Sequence, residues 1–161
     1  MAQLEDGSFL YALEDKPWYR FIQNPDDAIK LLHVDEVAQQ VVFVQRFSAN
    51  TRHHKHTHHC TAIAYTLTGT WVYDETEIPV GTLAYEPFGS THTPMTTNGH
   101  VADVLVILTA INKDGRFLEL HGEDGESFEL NLDVFKLMNS MSPDEFLEFQ
   151  RSQMTVSEKA D

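Results

Sequence analysis

From residue 29 onward the chain alternates short apolar or β-branched runs with turns, and this alternation limits the possible folds more than any other feature. The runs are IKLLHV (29–34), VVFVQRF (41–47), CTAIAYTL (60–67), TWVYDE (70–75), TLAYE (82–86) and VADVLVILTAI (101–111). Val, Ile, Thr and Tyr suit a pleated, half-buried surface, and Gly69, Gly81 and Gly89 punctuate the runs. FLELHG and GESFEL, around 118–130, read as one more hairpin. The expectation is an all-β protein, a small antiparallel barrel or sandwich.

The pattern changes at the carboxyl end. LNLDVFKLM (130–138) reads as one or two helical turns. SPDEFLEFQRS then supplies Ser142 as N-cap, Pro143 at the first helical position and Glu145 at the third, with Phe146 and Phe149 spaced for one packed face. At the other end, WYRF and NPDD mark an irregular arm that packs Trp18, Tyr19 and Phe21 on the main body. The 161 residues contain no repeat or low-complexity linker, so one domain is expected. Its parts are an arm (1–28), a β-barrel (29–130), a helical cap (131–152) and a flexible polar tail (153–161). A hydrophobic share of 42% is enough for a core and excludes disorder of the whole chain.

Eleven basic residues against 25 acidic ones give a formal charge of −14 with histidine neutral. Such a field repels nucleic acid and anionic lipid and draws cations, so neither a nucleic-acid nor a membrane partner is expected. A single cysteine, Cys60, rules out an intrachain disulfide and a Cys-rich metal site. It reads as a small buried hydrophobe. The first residues lack a basic segment followed by an apolar one, and no run approaches membrane length, so a soluble cytoplasmic protein is expected.

HHKHTHHC, residues 53–60, holds five of the nine histidines. On a strand His56 and His58 point to one face, His54 shares their parity, and His53 and His59 point the other way. Two imidazoles make an incomplete metal site, so a neighbouring strand must add a donor. EPFGSTHTP (86–94) provides one, because a turn at Pro87 and Gly89 directs His92 back across the barrel. Trp71, Tyr73 and Glu75 share a face if their strand is regular, which makes Glu75 a candidate carboxylate ligand. Singly, each histidine reads as solvated or hydrogen-bonded; jointly, His56, His58 and His92 read as a metal site. His53, His54 and His59 read as outer or solvent-facing groups. Tyr65, Trp71, Tyr73, Tyr85 and Phe88 are the aromatic candidates for lining a substrate pocket, each with core filling as its ordinary alternative. Glu86 is a candidate partner for a ligating histidine.

HTHHCTAIAYTLTG and GTLAYEPFGSTHTP resemble the two metal-binding motifs of the cupin superfamily. In the first, His56-x-His58 is followed by three residues, the position usually held by glutamate, six more residues and Gly69. In the second, Gly81, Pro87, Gly89 and His92 fall at the family's intervals. The glutamate position is Ala62 here, and Thr96 stands where a late Asn is common. The missing glutamate leaves a three-histidine centre or a replacement carboxylate. Over about residues 40–95 the closer resemblance is to the 2,4'-dihydroxyacetophenone dioxygenase branch, with some likeness to ChrR-type cupin domains. In that branch the run resembling AYTLTGTWVYDE carries a carboxylate that falls on Glu75.

The resemblance implies a double-stranded β-helix, or jelly-roll barrel, with His56, His58, Glu75 and His92 as metal ligands and the histidines at the reaction centre. Imidazoles with at most one carboxylate suit Fe(II) first, with Zn(II), Ni(II) and Mn(II) as alternatives. The implied activity is a dioxygenase using O2 to cleave a C–C bond in a small hydroxy-ketone or β-diketone-like substrate. The competing readings are a zinc or manganese isomerase or hydrolase, and a non-enzymatic metal-dependent sensor or ligand-binding module. By analogy with small barrels of this kind a homodimer is expected.

Overall fold

The computed structural model describes residues 2–22, 27–97, 99–122, 125 and 127–157. In the arm, β1 (Ala2–Gln3) pairs with β2 (Phe9–Leu10), and a 3-10 turn at Leu13–Asp15 leads to β3 (Tyr19–Arg20). The main strands are β4 (Ala28–Asp35), β5 (Gln40–Phe47), β6 (Lys55–His58), β7 (Cys60–Thr68), β8 (Thr70–Tyr73), β9 (Thr76–Pro79), β10 (Leu83–Glu86), β11 (Thr91–His92), β12 (Ala102–Ala110), β13 (Arg116–His121) and β14 (Ser127–Asn131). Helices α1 (Leu132–Ser140) and α2 (Pro143–Ser157) follow. Among the described residues no helix is long and apolar enough to cross a membrane.

Two antiparallel sheets face each other, one in the order β10-β7-β12-β5-β4-β3 and one in the order β11-β6-β13-β14, with β8 and β9 as a separate hairpin. The expected all-β domain with two short carboxyl-terminal helices is what forms. Strand alternation decides which residues enter the core. On β7, Cys60, Ala62, Ala64 and Thr66 are buried, whereas Ile63 and Tyr65 face outward.

The chain passes between the sheets twice near one point. Only His59 separates β6, in the smaller sheet, from β7, in the larger. Likewise only Pro87–Ser90 separates β10 from β11. The second passage is a tight turn in which Ser90 N–H donates to the Pro87 carbonyl at 3.1 Å, with Gly89 at φ +82°. A left-handed residue at the third position is what a type II turn requires, and glycine adopts it without steric cost. Gly69 is constrained twice: its φ is +70°, and a Cβ there would lie 2.1 Å from the Val101 carbonyl oxygen.

The core has two centres. One gathers Phe43, Phe117 and Leu108 beneath α1, whose Phe135 lies 5.5 Å from Phe43 and 5.8 Å from Phe117, ring to ring. The other gathers Phe47, Trp71, Ile78 and Val104. The cap closes the first centre. Asn131 caps α1 by accepting from Val134 N–H at 3.1 Å. Ser142 and Glu145 form the expected capping box, with Ser142 N–H donating to Glu145 Oε2 at 2.7 Å. Phe146 is buried edge-on against Tyr19 and Phe21, and Tyr19 donates to the Met141 carbonyl at 2.8 Å. Trp18 instead lies under the Arg46 guanidinium, 4.1 Å from its ring centre. Of the NPDD stretch, Asn24, Pro25 and Asp26 lie outside the described residues, as do residues 158–161 of the expected tail; α2 itself reaches Ser157.

Phe135 fixes the cap to the barrel and has no exposed surface. Phe135→Ala is expected to lower stability by about 3–5 kcal/mol, read by denaturant unfolding. A loss near zero would show that the helices are not part of the cooperative unit.

Candidate metal centre

His56 and His58 lie two residues apart on β6, so their side chains share a face. β11 pairs with β6 so that His92 sits directly opposite His56. The third imidazole therefore arrives by cross-strand pairing, and the turn at Pro87–Ser90 sets the register. His58 N–H donates to the Ser90 carbonyl and Gly89 N–H to the His58 carbonyl, at 2.9 and 2.8 Å. These two bonds fix the turn to the histidine strand.

The three side chains converge. His92 Nε2 lies 2.6 Å from His56 Nε2 and 3.2 Å from His58 Nε2. Among the described residues this is the one group of three or more His, Cys, Asp or Glu side chains whose donor atoms come together closely enough to hold a metal ion. Bonds of about 2.0–2.1 Å to a common ion set nitrogen–nitrogen edges of roughly 3 Å, so the spacing fits a metal. The protonation states fit as well. Burial first, with neighbouring imidazole charge second for His58 and His92, holds the pKa of His56 at about 4, of His58 at about 3 and of His92 at about 2. Each ring therefore stays neutral at physiological pH and keeps a lone pair. For His56 the tautomer follows from geometry: Nδ1 lies 3.1 Å from the His54 carbonyl, which can only accept, so Nε2 is the free donor. His58 and His92 are 2% and 3% exposed while His56 keeps partial exposure, so the cluster opens on the His56 side.

One buried carboxylate lies beside two of them, and it is Glu86; Glu75 does not reach the cluster. β8 ends at Tyr73, and Asp74 and Glu75 form the two-residue turn into β9 with φ of +46° and +67°. Both are exposed. Alternation along a strand does not continue through a two-residue hairpin turn, so the parity linking Trp71, Tyr73 and Glu75 ends one residue too early. Glu86 takes the inward position. It is 6% exposed, with its carboxylate 3.7 Å from His92 Nδ1 and 3.5 Å from His58 Nε2. In the β10–β7 register Glu86 lies directly opposite Ala62, the position where the resemblance places a glutamate. The carboxylate absent from 62 thus enters from the adjacent strand. Burial raises the Glu86 pKa to about 7.

The aromatic candidates divide. Tyr73 is half-buried with its ring edge-on to His92 at 4.2 Å. Trp71 is buried behind it, and its Nε1–H donates to Thr66 Oγ1 at 2.9 Å. Tyr65, Tyr85 and Phe88 are exposed and do not line the interior. On β7 and β10 the even-numbered residues Ala64 and Glu86 point inward, which turns Tyr65 and Tyr85 outward; Phe88 sits in the turn and meets His59 at 6.2 Å. His59 pairs with Glu119 at 3.1 Å. Burial first and the Glu86 charge second push the Cys60 thiol up to about 12, so it stays protonated in the core. Thr96 clamps the backbone, donating to the Ser48 carbonyl and accepting from Thr51 N–H.

His53, expected as an outer or solvent-facing group, does not face solvent. It precedes β6 and is not in a strand, so alternation does not govern it, and it is 5% exposed. Its Nδ1 lies 2.7 Å from Asp27. The sequence signal available was the unusual density of histidine, not its spacing.

Comparison with known proteins agrees with this fold. The sequence profile of the ChrR cupin-like domain matches residues 6–112. No curated protein matches the chain. Among solved structures, an RmlC-like cupin protein from Ralstonia eutropha is 21% identical, covering 93% of this chain and 92% of its own, with a TM-score of 0.68. An acetylacetone dioxygenase from Acinetobacter johnsonii is 10% identical over 78% of this chain and 86% of its own, with a TM-score of 0.63. A chain from the Rhodobacter sphaeroides complex of SigE with the anti-sigma ChrR is 15% identical over 61% of this chain and 51% of its own, with a TM-score of 0.51. At these identities the likeness establishes the cupin fold alone.

The neutral imidazoles make the metal-free protein sensitive to acid. Their folded pKa values of about 4, 3 and 2 lie below the ordinary value of 6.5, so between these limits the unfolded chain binds protons that the folded one refuses. Their contribution to stability is complete above pH 6.5 and is lost as pH falls below it. Glu86, raised from 4.5 to about 7, acts in the opposite sense across that range and offsets part of the loss. The Tm of metal-free protein should therefore fall between pH 7 and pH 5, and His58→Gln should flatten the slope. Equal slopes in both proteins would contradict the assignment.

Proposed function

The chain belongs to the ChrR cupin-like family, and we propose that it is a metal-dependent dioxygenase cleaving a carbon–carbon bond in a small β-diketone-like or hydroxy-ketone compound with O2. The observation that carries the reading is the convergence of three neutral imidazoles beside one buried carboxylate. His56, His58 and His92 would hold the ion, Fe(II) first among Fe(II), Zn(II), Ni(II) and Mn(II). When bound, such an ion supplies Lewis acidity toward paired substrate oxygens, and iron adds one-electron chemistry with O2.

The protein's own contribution is to prepare the donors. The His54 carbonyl fixes the His56 ring, and burial removes the competing protons from all three imidazoles. Glu86 adds one buried carboxylate, 3.7 Å from His92 Nδ1 and 3.5 Å from His58 Nε2. Tyr73, backed by Trp71 at 6.3 Å, gives an aromatic wall against which a planar or apolar substrate can pack. Three protein donors leave room around an ion for small molecules, as a catalytic site requires.

Protein loaded with Fe(II) under anaerobic conditions should consume O2 when a β-diketone or a hydroxyacetophenone is added. His56→Ala and His92→Ala should lose both stoichiometric metal and O2 uptake, while Glu75→Gln keeps both. Uptake unchanged in the histidine variants would defeat the centre. Turnover with Zn(II) or Mn(II) and indifference to O2 would instead support an isomerase or hydrolase. A stable stoichiometric complex with a protein partner and no turnover would support a sensor, the reading that the family's name favours.

Assembly follows from the outer face of the larger sheet. Leu83, Tyr65 and Leu105 form one cross-strand row, and Tyr85, Ile63 and Ile107 form the next, with β10 as an open edge. Leu83 and Tyr85 are 57% and 62% exposed. No formal charge lies in these rows, so on a chain of −14 two copies joined through them would not set like charges against each other there. The partner proposed for this face is a second copy. Sedimentation at micromolar concentration should show a dimer, and Leu83→Lys with Tyr85→Lys should show a monomer. A monomeric wild-type protein would refute the proposal.

A further inference from the structure

His53 and Asp27 form a buried pair that the centre described above does not use. Asp27 precedes β4, and its carboxylate oxygens lie 2.7 and 2.8 Å from His53 Nδ1. The backbone holds His53 in place too, since its N–H donates to the Pro94 carbonyl at 2.9 Å, two residues beyond His92. One side of the ring packs on Phe47, with centres 4.4 Å apart, and Phe47 in turn packs on Trp71. The other ring nitrogen, Nε2, is buried and has no hydrogen-bond partner among the described residues. A buried polar nitrogen without a partner costs about 1–3 kcal/mol, so its persistence calls for a ligand group. His53 lies three residues before His56, and its backbone bond to Pro94 extends the pairing that sets His92 opposite His56. The His53 ring is also joined to the three-histidine cluster through the packed series Phe47, Trp71 and Tyr73, the last of which meets His92.

We propose that His53 is the base that removes the acidic proton of the bound substrate, with Asp27 as the positioning residue that holds the ring. The substrate class rests on the function proposed above. A β-diketone carries its acidic hydrogen on the carbon between two carbonyls. His53 Nε2 takes that proton, the C–H electron pair passes into the enolate oxygens, and the imidazolium formed is stabilised by the Asp27 carboxylate. Carboxylate contact at Nδ1 keeps the proton there and leaves Nε2 as the accepting atom, the geometry that general base catalysis needs.

Enolate formation can be followed without oxygen. Zinc-loaded protein is mixed anaerobically with a β-diketone, and the ultraviolet band of the enolate is recorded by stopped flow. His53→Gln should slow its appearance by about 10²–10⁴-fold, and Asp27→Asn, which keeps the ring and removes its orienting charge, should slow it too. A trifluoromethyl diketone, already ionised in solution, should bind to both variants as it does to wild type. Enolate formation at the wild-type rate in His53→Gln overturns the inference. So does equal impairment with both diketones, which is what a merely structural role produces. If His53→Gln does not fold, Asp27→Asn is judged by the same two criteria. Wild-type protein that forms the enolate but, with Fe(II), consumes no O2 refutes the oxygenase while leaving the base. Wild-type protein that forms no enolate refutes the base.

Discussion

The centre depends on one cross-strand pair. His92 faces His56 because β11 and β6 are in register there, and His58 joins them because side chains two apart on a strand share a face. Slip the register by one residue and His92 turns outward, leaving two imidazoles and no centre. Much of the local structure resists that slip. The Pro87–Ser90 turn is bonded to both ends of His58, and Gly89 gives it the left-handed residue it needs. Behind the histidines, β13 pairs with the other edge of β6 and holds that strand in the sheet.

Burial then keeps this cluster of bases neutral. Three imidazoles this close would repel one another if charged, and desolvation removes the charge before repulsion arises. The chain carries a large acidic excess, yet the buried carboxylate beside His58 and His92 is Glu86. It lies directly opposite Ala62, so the two positions face the same part of the interior. His53 and Asp27 extend the same pattern: a further buried imidazole is tolerated because a carboxylate accompanies it.

The strands were readable because half-buried sheets impose a two-residue period and β7, β10 and β12 obey it. The capping box at Ser142 and Glu145 was readable because its hydrogen bonds are local. The convergence of His56, His58 and His92 was readable in part, since parity gives two and a glycine-bearing turn points to the third. Parity could not place Glu75 or His53, because one lies in a hairpin turn and the other in an irregular segment, where side-chain direction does not alternate. Tyr65 and Tyr85 were placed in a pocket by their nearness in sequence, although strand direction turns them to the outer face.

By itself, then, the sequence determined the fold class, the helical cap and the identity of the imidazole donors, because alternation, capping and turn chemistry act over a few residues. Only the tertiary structure decided which carboxylate stands with those imidazoles, which aromatic ring faces them and which histidine is buried beside an aspartate. Those choices depend on register between strands and on where the chain crosses from one sheet to the other. Both bring together residues far apart in sequence, from Asp27 to His53 and from Ala62 to Glu86.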